Sequence, residues 1–200
     1  ALLIVQDEKE AARVCSAMRE LDLDAVVYPY RDFIMHNIIA SHDYEHERLN
    51  VLYRIITGSA DVVIATADSA LQYTMPQEVL SGSVMKIDMN TRIDIDRIAE
   101  FLVGCGYVRA DMVDGAGQFS IRGGIVDIFT ASDDLPIRIE LFDDEIDTIR
   151  SFDPLTQMSL ENADKFEIYP ARELIFDAEI KQNVLKKIKA QKNENLLSDA

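Results

Sequence analysis

Cysteine is scarce in this chain: Cys15 and Cys105 are its only two, and they lie far apart in no metal-ligand spacing. A disulfide framework and a cysteine-rich zinc site are thereby excluded, and a reducing, cytoplasmic setting is expected. Basic side chains are also few, 20 against 36 acidic ones, for a formal net charge of -16. That balance opposes a phosphate backbone, whose binding needs clustered Lys and Arg, so a general nucleic-acid binder is not expected. No apolar run approaches the roughly 20 residues that span a bilayer, and no membrane partner is expected. The opening "ALLIVQDEKE" turns acidic too soon for a signal peptide. The Gly-x-x-x-x-Gly-Lys-Ser/Thr phosphate loop is missing as well, so no cofactor is expected in these residues.

What is present reads as two grammars in succession. "ALLIV" (1–5), "AVVYP" (25–29) and "DVVIAT" (61–66) are short apolar runs of the kind buried on both faces of a parallel sheet. Helical spacing fills the gaps: Ala11, Val14, Cys15, Met18 and Leu21 follow Asp7, a good N-cap, and "YEHERLNVLYRIITG" (44–58) ends at Gly58. Alternating strands and helices predict an α/β fold with a partial, doubly wound parallel sheet. A strand that opens at residue 1 is expected to belong to a longer chain. After residue 80 the pattern changes. "VMKIDMN" reads as a strand, and a helix from about Asp94 carries Ile95, Ile98, Ala99 and Leu102 on one face, closed by Gly104. Strands then follow with hairpin punctuation: 107–113, "QFSIR", "GIVDIF", "PIRIELF" and 146–152. A polar connection (153–164) leads to "KFEIYP", and a Lys-rich amphipathic helix is expected from Asp177. These predict a second, mostly antiparallel α+β domain.

Few residues offer chemistry. His42 and His46 are four apart and could supply two zinc ligands, but His-Glu-x-x-His is absent and His36 sits in a loop, so both read as solvated surface. The run Asp143, Asp144, Glu145, Asp147 lacks the pattern of a calcium loop and reads as a hairpin turn. Gly123-Gly124 lies between strands, without the helix that a phosphate cradle needs, and reads as a tight bend. No catalytic residues and no metal ligands are expected. An anomaly of phase remains. In "PIRIELF" the apolar Ile137, Ile139 and Leu141 share one strand face, leaving Arg138, Glu140 and Phe142 on the other. Arg122 likewise points away from the face of Phe119 and Ile121. Either these arginines offset neighbouring carboxylates and Phe142 covers a hairpin end, or the three form a protein-binding patch of hot-spot types.

Over nearly the whole length, the blocks "YPYRDFIMHN", "ERLNVLYRI", "GQFSIRGGIVDIF", "PIRIELFDDEIDTIRSFDPLTQMSL" and "IYPARE" resemble the bacterial transcription-repair coupling factor family. The similar part is the amino-terminal module that this family shares with the excision-repair protein UvrB. UvrB carries a long aromatic insertion after the second strand, where this chain has only 30–43, and usually an acid where Gly124 stands. A UvrB-like damage-recognition, ATP-binding subunit is therefore the alternative. The resemblance implies a degenerate helicase-like domain over 1–84, a UvrA-binding domain over 85–165, and a return to the first domain over 166–200. It implies a non-catalytic adaptor whose partner UvrA is bound by Arg122, Arg138 and Phe142. It also implies that ATP, Mg, DNA and RNA polymerase are engaged only by other domains of an ATP-hydrolysing DNA translocase.

Overall fold

A computed structural model describes residues 1–31, 43–175 and 185–186. Expectations for His36, His42 and the Lys-rich helix from Asp177 lie outside the described residues, apart from the exposed Leu185 and Lys186.

The first unit is built on three parallel strands, β1 (Leu2–Val5), β2 (Ala25–Tyr28) and β3 (Val62–Thr66), in the order β1-β3-β2. Helix α1 (Glu8–Arg19) starts where Asp7 accepts a hydrogen bond from the Glu10 amide at 2.8 Å, which satisfies one of the free N–H groups of its first turn. Its Ala11 and Cys15 pack on Ala25, Val62 and Ile64. Helix α2 (Asp43–Thr57) lays Val51 on the opposite face, against Val26, Tyr28, Val63 and Ala65. It ends at Gly58, whose φ of +68° turns the chain out of the helix. β1 departs from the expectation of burial on both faces: Leu2 and Ile4 are exposed, because α2 packs over β2 and β3 and leaves that side of the edge strand uncovered. Two short helices, α3 (Ala67–Ala70) and α4 (Gln77–Gly82), follow β3, the first held by a Thr66/Ser69 capping box.

The second unit packs α5 (Ile95–Gly104) on a six-stranded sheet. Asp94 caps α5 by accepting from the amides of Asp96 and Arg97 at 3.0 and 3.1 Å. Gly104 is the last helical residue, and it is Gly106, at φ +88°, that makes the left-handed turn. The sheet runs β10 (Ser159–Asn162), β9 (Glu145–Phe152), β8 (Ile137–Phe142), β7 (Ile125–Phe129), β6 (Gln118–Arg122) and β5 (Val108–Arg109). Its pairs are antiparallel except β5 with β6. The long strand expected over 107–113 shrinks to β5, because the chain lifts off after Arg109 and Asp111 instead accepts from the Ser120 hydroxyl through its carbonyl. β10 arises inside the segment expected to be a polar connection. β4 (Met85–Asp88) pairs antiparallel with β11 (Lys165–Ile168), and Phe166 and Ile168 join the core of Ile98, Leu102, Phe119, Ile128 and Ile139.

Candidate functional site

Register divides the sheet cleanly. Opposed residues of antiparallel strands share a face. Phe119 opposes Ile128, and Val126 opposes Ile139, which opposes Ile149: this is the face under α5. One residue along, Ser120 opposes Asp127, Asp127 opposes Arg138 and Arg138 opposes Arg150, forming a polar row on the outer face. Beyond it toward the β8–β9 hairpin lie Arg122, Ile125, Glu140 and Thr148, in mutual register, and then Phe142.

The outer face is half covered. Segment 110–117 and the turn 153–158 fold over its far end, where Val113 and Phe152 are fully buried outside the core beneath α5. Gln157, in the left-handed region at φ +62°, ties the two together: its side-chain amide donates to the Val113 carbonyl at 3.1 Å and to that of Pro154 at 2.7 Å. The near end stays open.

The structure brings Arg122 and Arg138 together on one carboxylate. Asp127 of β7 is completely buried, and the arginines reach it from the strands on either side. Arg138 holds it as a fork, Nε to Oδ1 at 2.7 Å and Nη2 to Oδ2 at 2.9 Å, while Arg122 Nη2 reaches Oδ2 at 2.5 Å. These bonds raise the Arg138 pKa above its already high ordinary value. Arg138 also lies over the Phe152 ring, 4.5 Å from its centroid, and donates to the Gln157 carbonyl at 3.3 Å. Its side chain is therefore only 15% exposed, against 45% for Arg122. Arg138 is a brace first and a surface residue second. Phe142 is 81% exposed at the end of β8, opposite Glu145.

The hairpin beneath Phe142 is tied down. Arg92 Nη1 donates to both Asp144 oxygens at 3.0 and 2.9 Å, its Nη2 reaches Glu145 at 2.5 Å, and the Ile93 amide donates to the Asp144 carbonyl at 2.8 Å. The acidic run is thus a braced turn. Among the described residues no group of His, Cys, Asp and Glu could hold a metal ion. His46 departs from the expected solvated surface: it is buried in α2 against Gly117, where an added Cβ would stand 3.1 Å from its ring.

Two buried features carry little sequence signal. Asp127 is one acid in the run "GIVDIF", legible only as a carboxylate where an apolar residue belongs. Arg48 of α2 is fully buried and grips Glu173 through Nε and Nη2 at 3.1 and 3.2 Å, with its guanidinium 4.3 Å from the Tyr28 ring centroid. Glu173 also accepts from Arg31 at 2.9 Å and from Thr74 at 3.0 Å. This cluster and a second one join the two units. In the second, Tyr169, Lys86 (3.0 Å) and Tyr53 (2.8 Å) surround Glu167 and hold its pKa down to about 2. No helix among the described residues is long and apolar enough to cross a membrane.

Residues 85–174, which carry this open outer strip on an antiparallel sheet, match the family described as the UvrB interaction domain. The transcription-repair-coupling factor of Bacillus subtilis (strain 168) is 37% identical over 98% of this chain and 18% of its own length. That of Staphylococcus aureus (strain USA300) is 34% identical over 81% of this chain and 14% of its own length. The chain belongs to the transcription-repair-coupling factor family and spans less than a fifth of the length of these relatives.

Proposed function

We propose that this chain is a non-catalytic adaptor module that recruits the nucleotide-excision-repair protein UvrA to stalled RNA polymerase, docking it on the open half of the outer face. The observation that carries this reading is Phe142: a large aromatic, 81% exposed, on a hairpin that Arg92 holds in place. Aromatic anchors flanked by arginines dominate binding energies at protein interfaces. Arg122 is the accessible cation of the site, and Arg138 shapes the strip from below while offering its edge. Residues 1–84 are read as part of a degenerate helicase-like domain, an assignment supported by the parallel sheet with a helix on each face. DNA, ATP and RNA polymerase are assigned to other parts of the longer protein.

Titration of purified UvrA tests the reading. Phe142→Ala is expected to weaken binding by about 2 kcal/mol, roughly thirtyfold, as hot-spot truncations do. Its melting temperature should stay near that of wild type, since exposed substitutions usually cost within about 0.5 kcal/mol. Unchanged affinity in a folded Phe142→Ala variant removes this face from the interface.

A further inference from the structure

The outer strip holds a charged pair that the docking proposal leaves unused. Arg150 of β9 stands directly opposite Arg138, so two guanidinium groups meet across neighbouring strands, an arrangement that is unfavourable unless carboxylates intervene. Arg138 has the buried Asp127. Arg150 has Glu140 instead, which accepts from its Nη2 at 2.9 Å, and its Nε and Nη2 also lie 3.3 and 3.2 Å from the Thr148 hydroxyl. The two pairs differ in their access to water. Asp127 is wholly enclosed, whereas Arg150 and Glu140 each keep 32% of their side-chain surface exposed. Ion pairs at that exposure add little to stability and exchange partners readily.

Position makes the pair more than a surface ornament. Glu140 lies on β8 between Arg138 and Phe142, on their face, and so occupies the middle of the open strip. Arg122, Arg138 and Arg150 concentrate three guanidinium groups on this strip of a molecule of net charge -16, with Asp127 wholly enclosed and Glu140 and Glu145 as the carboxylates that stay partly exposed beside them. Charge complementarity therefore selects a partner surface that carries carboxylates around an apolar pocket.

We infer that Arg150 is a further contact residue of this surface, and that Glu140 is an internal stand-in for a carboxylate of the docked protein. In the free chain Glu140 holds Arg150 by one bond, from Nη2, while Nε and Nη2 lie on the Thr148 hydroxyl. On docking, the partner's carboxylate displaces Glu140 and grips the guanidinium by two nitrogens, a bidentate geometry that lysine cannot reproduce. This inference rests on the recruiting reading above, with UvrA as the occupant.

The two members of the pair then have opposite effects on binding, an outcome that a purely structural pair cannot produce. In titrations with purified UvrA at low and moderate salt, Arg150→Gln should weaken binding by about tenfold, within the range of interface arginines, and flatten its salt dependence. Arg150→Lys should recover only part of the loss. Glu140→Gln should tighten binding severalfold by removing the carboxylate that competes for Arg150 Nη2. Melting temperatures measured alongside separate affinity from folding, and Arg150→Lys keeps the test open if Arg150→Gln is unstable. If Phe142→Ala loses binding but the Arg150 variants bind like wild type, the inference fails and the recruiting reading stands. If Arg150→Gln and Glu140→Gln weaken binding alike, the pair is structural and the inference is overturned. If Phe142→Ala also binds normally, the recruiting reading falls and takes the inference with it.

Discussion

At the scale of single residues, Asp127 decides how the arginines behave. A wholly buried carboxylate is tolerated only when its charge is matched and its lone pairs are filled, and Arg138 supplies two of its three charge-assisted bonds. Arg138→Ala should therefore cost about 3 kcal/mol in urea unfolding, since it leaves most of a buried charge unanswered. Arg122→Ala should cost less, because Arg122 is half exposed and provides only one bond. A loss of UvrA binding in an Arg138 variant consequently means little without a stability measurement, whereas Phe142→Ala separates the two. Alternation along "PIRIELF" was enough to place Arg138, Glu140 and Phe142 on the outer face. It could not tell which of them is free, because that depends on Asp127 from the neighbouring strand and on Gln157, 19 residues away. Arg48 carries no sequence signal for a related reason: its position in α2 reads as an ordinary charged helix face until Glu173 is brought beside it.

At the scale of elements, the chain's punctuation was legible and its coverage was not. Asp7 and Asp94 cap α1 and α5 as their residue types predict, and the hairpin strands fall where apolar alternation puts them. By contrast, segment 107–113 has strand composition but gives up its pairing after Arg109 to cover the outer face, and β1 has the composition of a buried strand while Leu2 and Ile4 are exposed beyond the reach of α2. Both outcomes depend on neighbours rather than on local pattern. The bend of "RGGI" shows what each glycine does. Gly123 takes the left-handed φ of +60° in the β6–β7 turn, and a Cβ on Gly124 would sit 2.8 Å from the Leu141 carbonyl oxygen. Since backbone cannot yield as a side chain tip can, Gly124→Ala should destabilise the domain by about 1–3 kcal/mol in urea unfolding. The α2–β11 contact makes a prediction in pH. Glu167 is held at about 2, below an unfolded carboxyl near 4.3, so its stabilisation is complete above the latter value and is lost as pH falls toward 2. Glu167→Gln should lower the melting temperature at pH 7, and the difference from wild type should shrink between about pH 4.3 and 2. A difference that persists unchanged at pH 2 assigns the effect to packing.

At the scale of the whole molecule, charge sets the company the chain keeps. With 36 acids against 20 basic groups, it should not shift duplex DNA in a gel near physiological salt, even at micromolar protein. A salt-sensitive shift would instead favour a UvrB-like DNA-handling role. The two units are also unequal in what they need from each other. Arg48 and Glu173 are separated by 125 positions, and all the strands of the second unit, β4 to β11, lie between them. During synthesis, at roughly 5–20 residues per second, the arginine therefore emerges about 6–25 s before its carboxylate. Until then the crevice beside Tyr28 holds a guanidinium without that counter-charge, so the unit made first is the one completed last. A chain released before residue 173 would be flawed near its beginning, far from the cut, and its first unit would be the one that proteases find open.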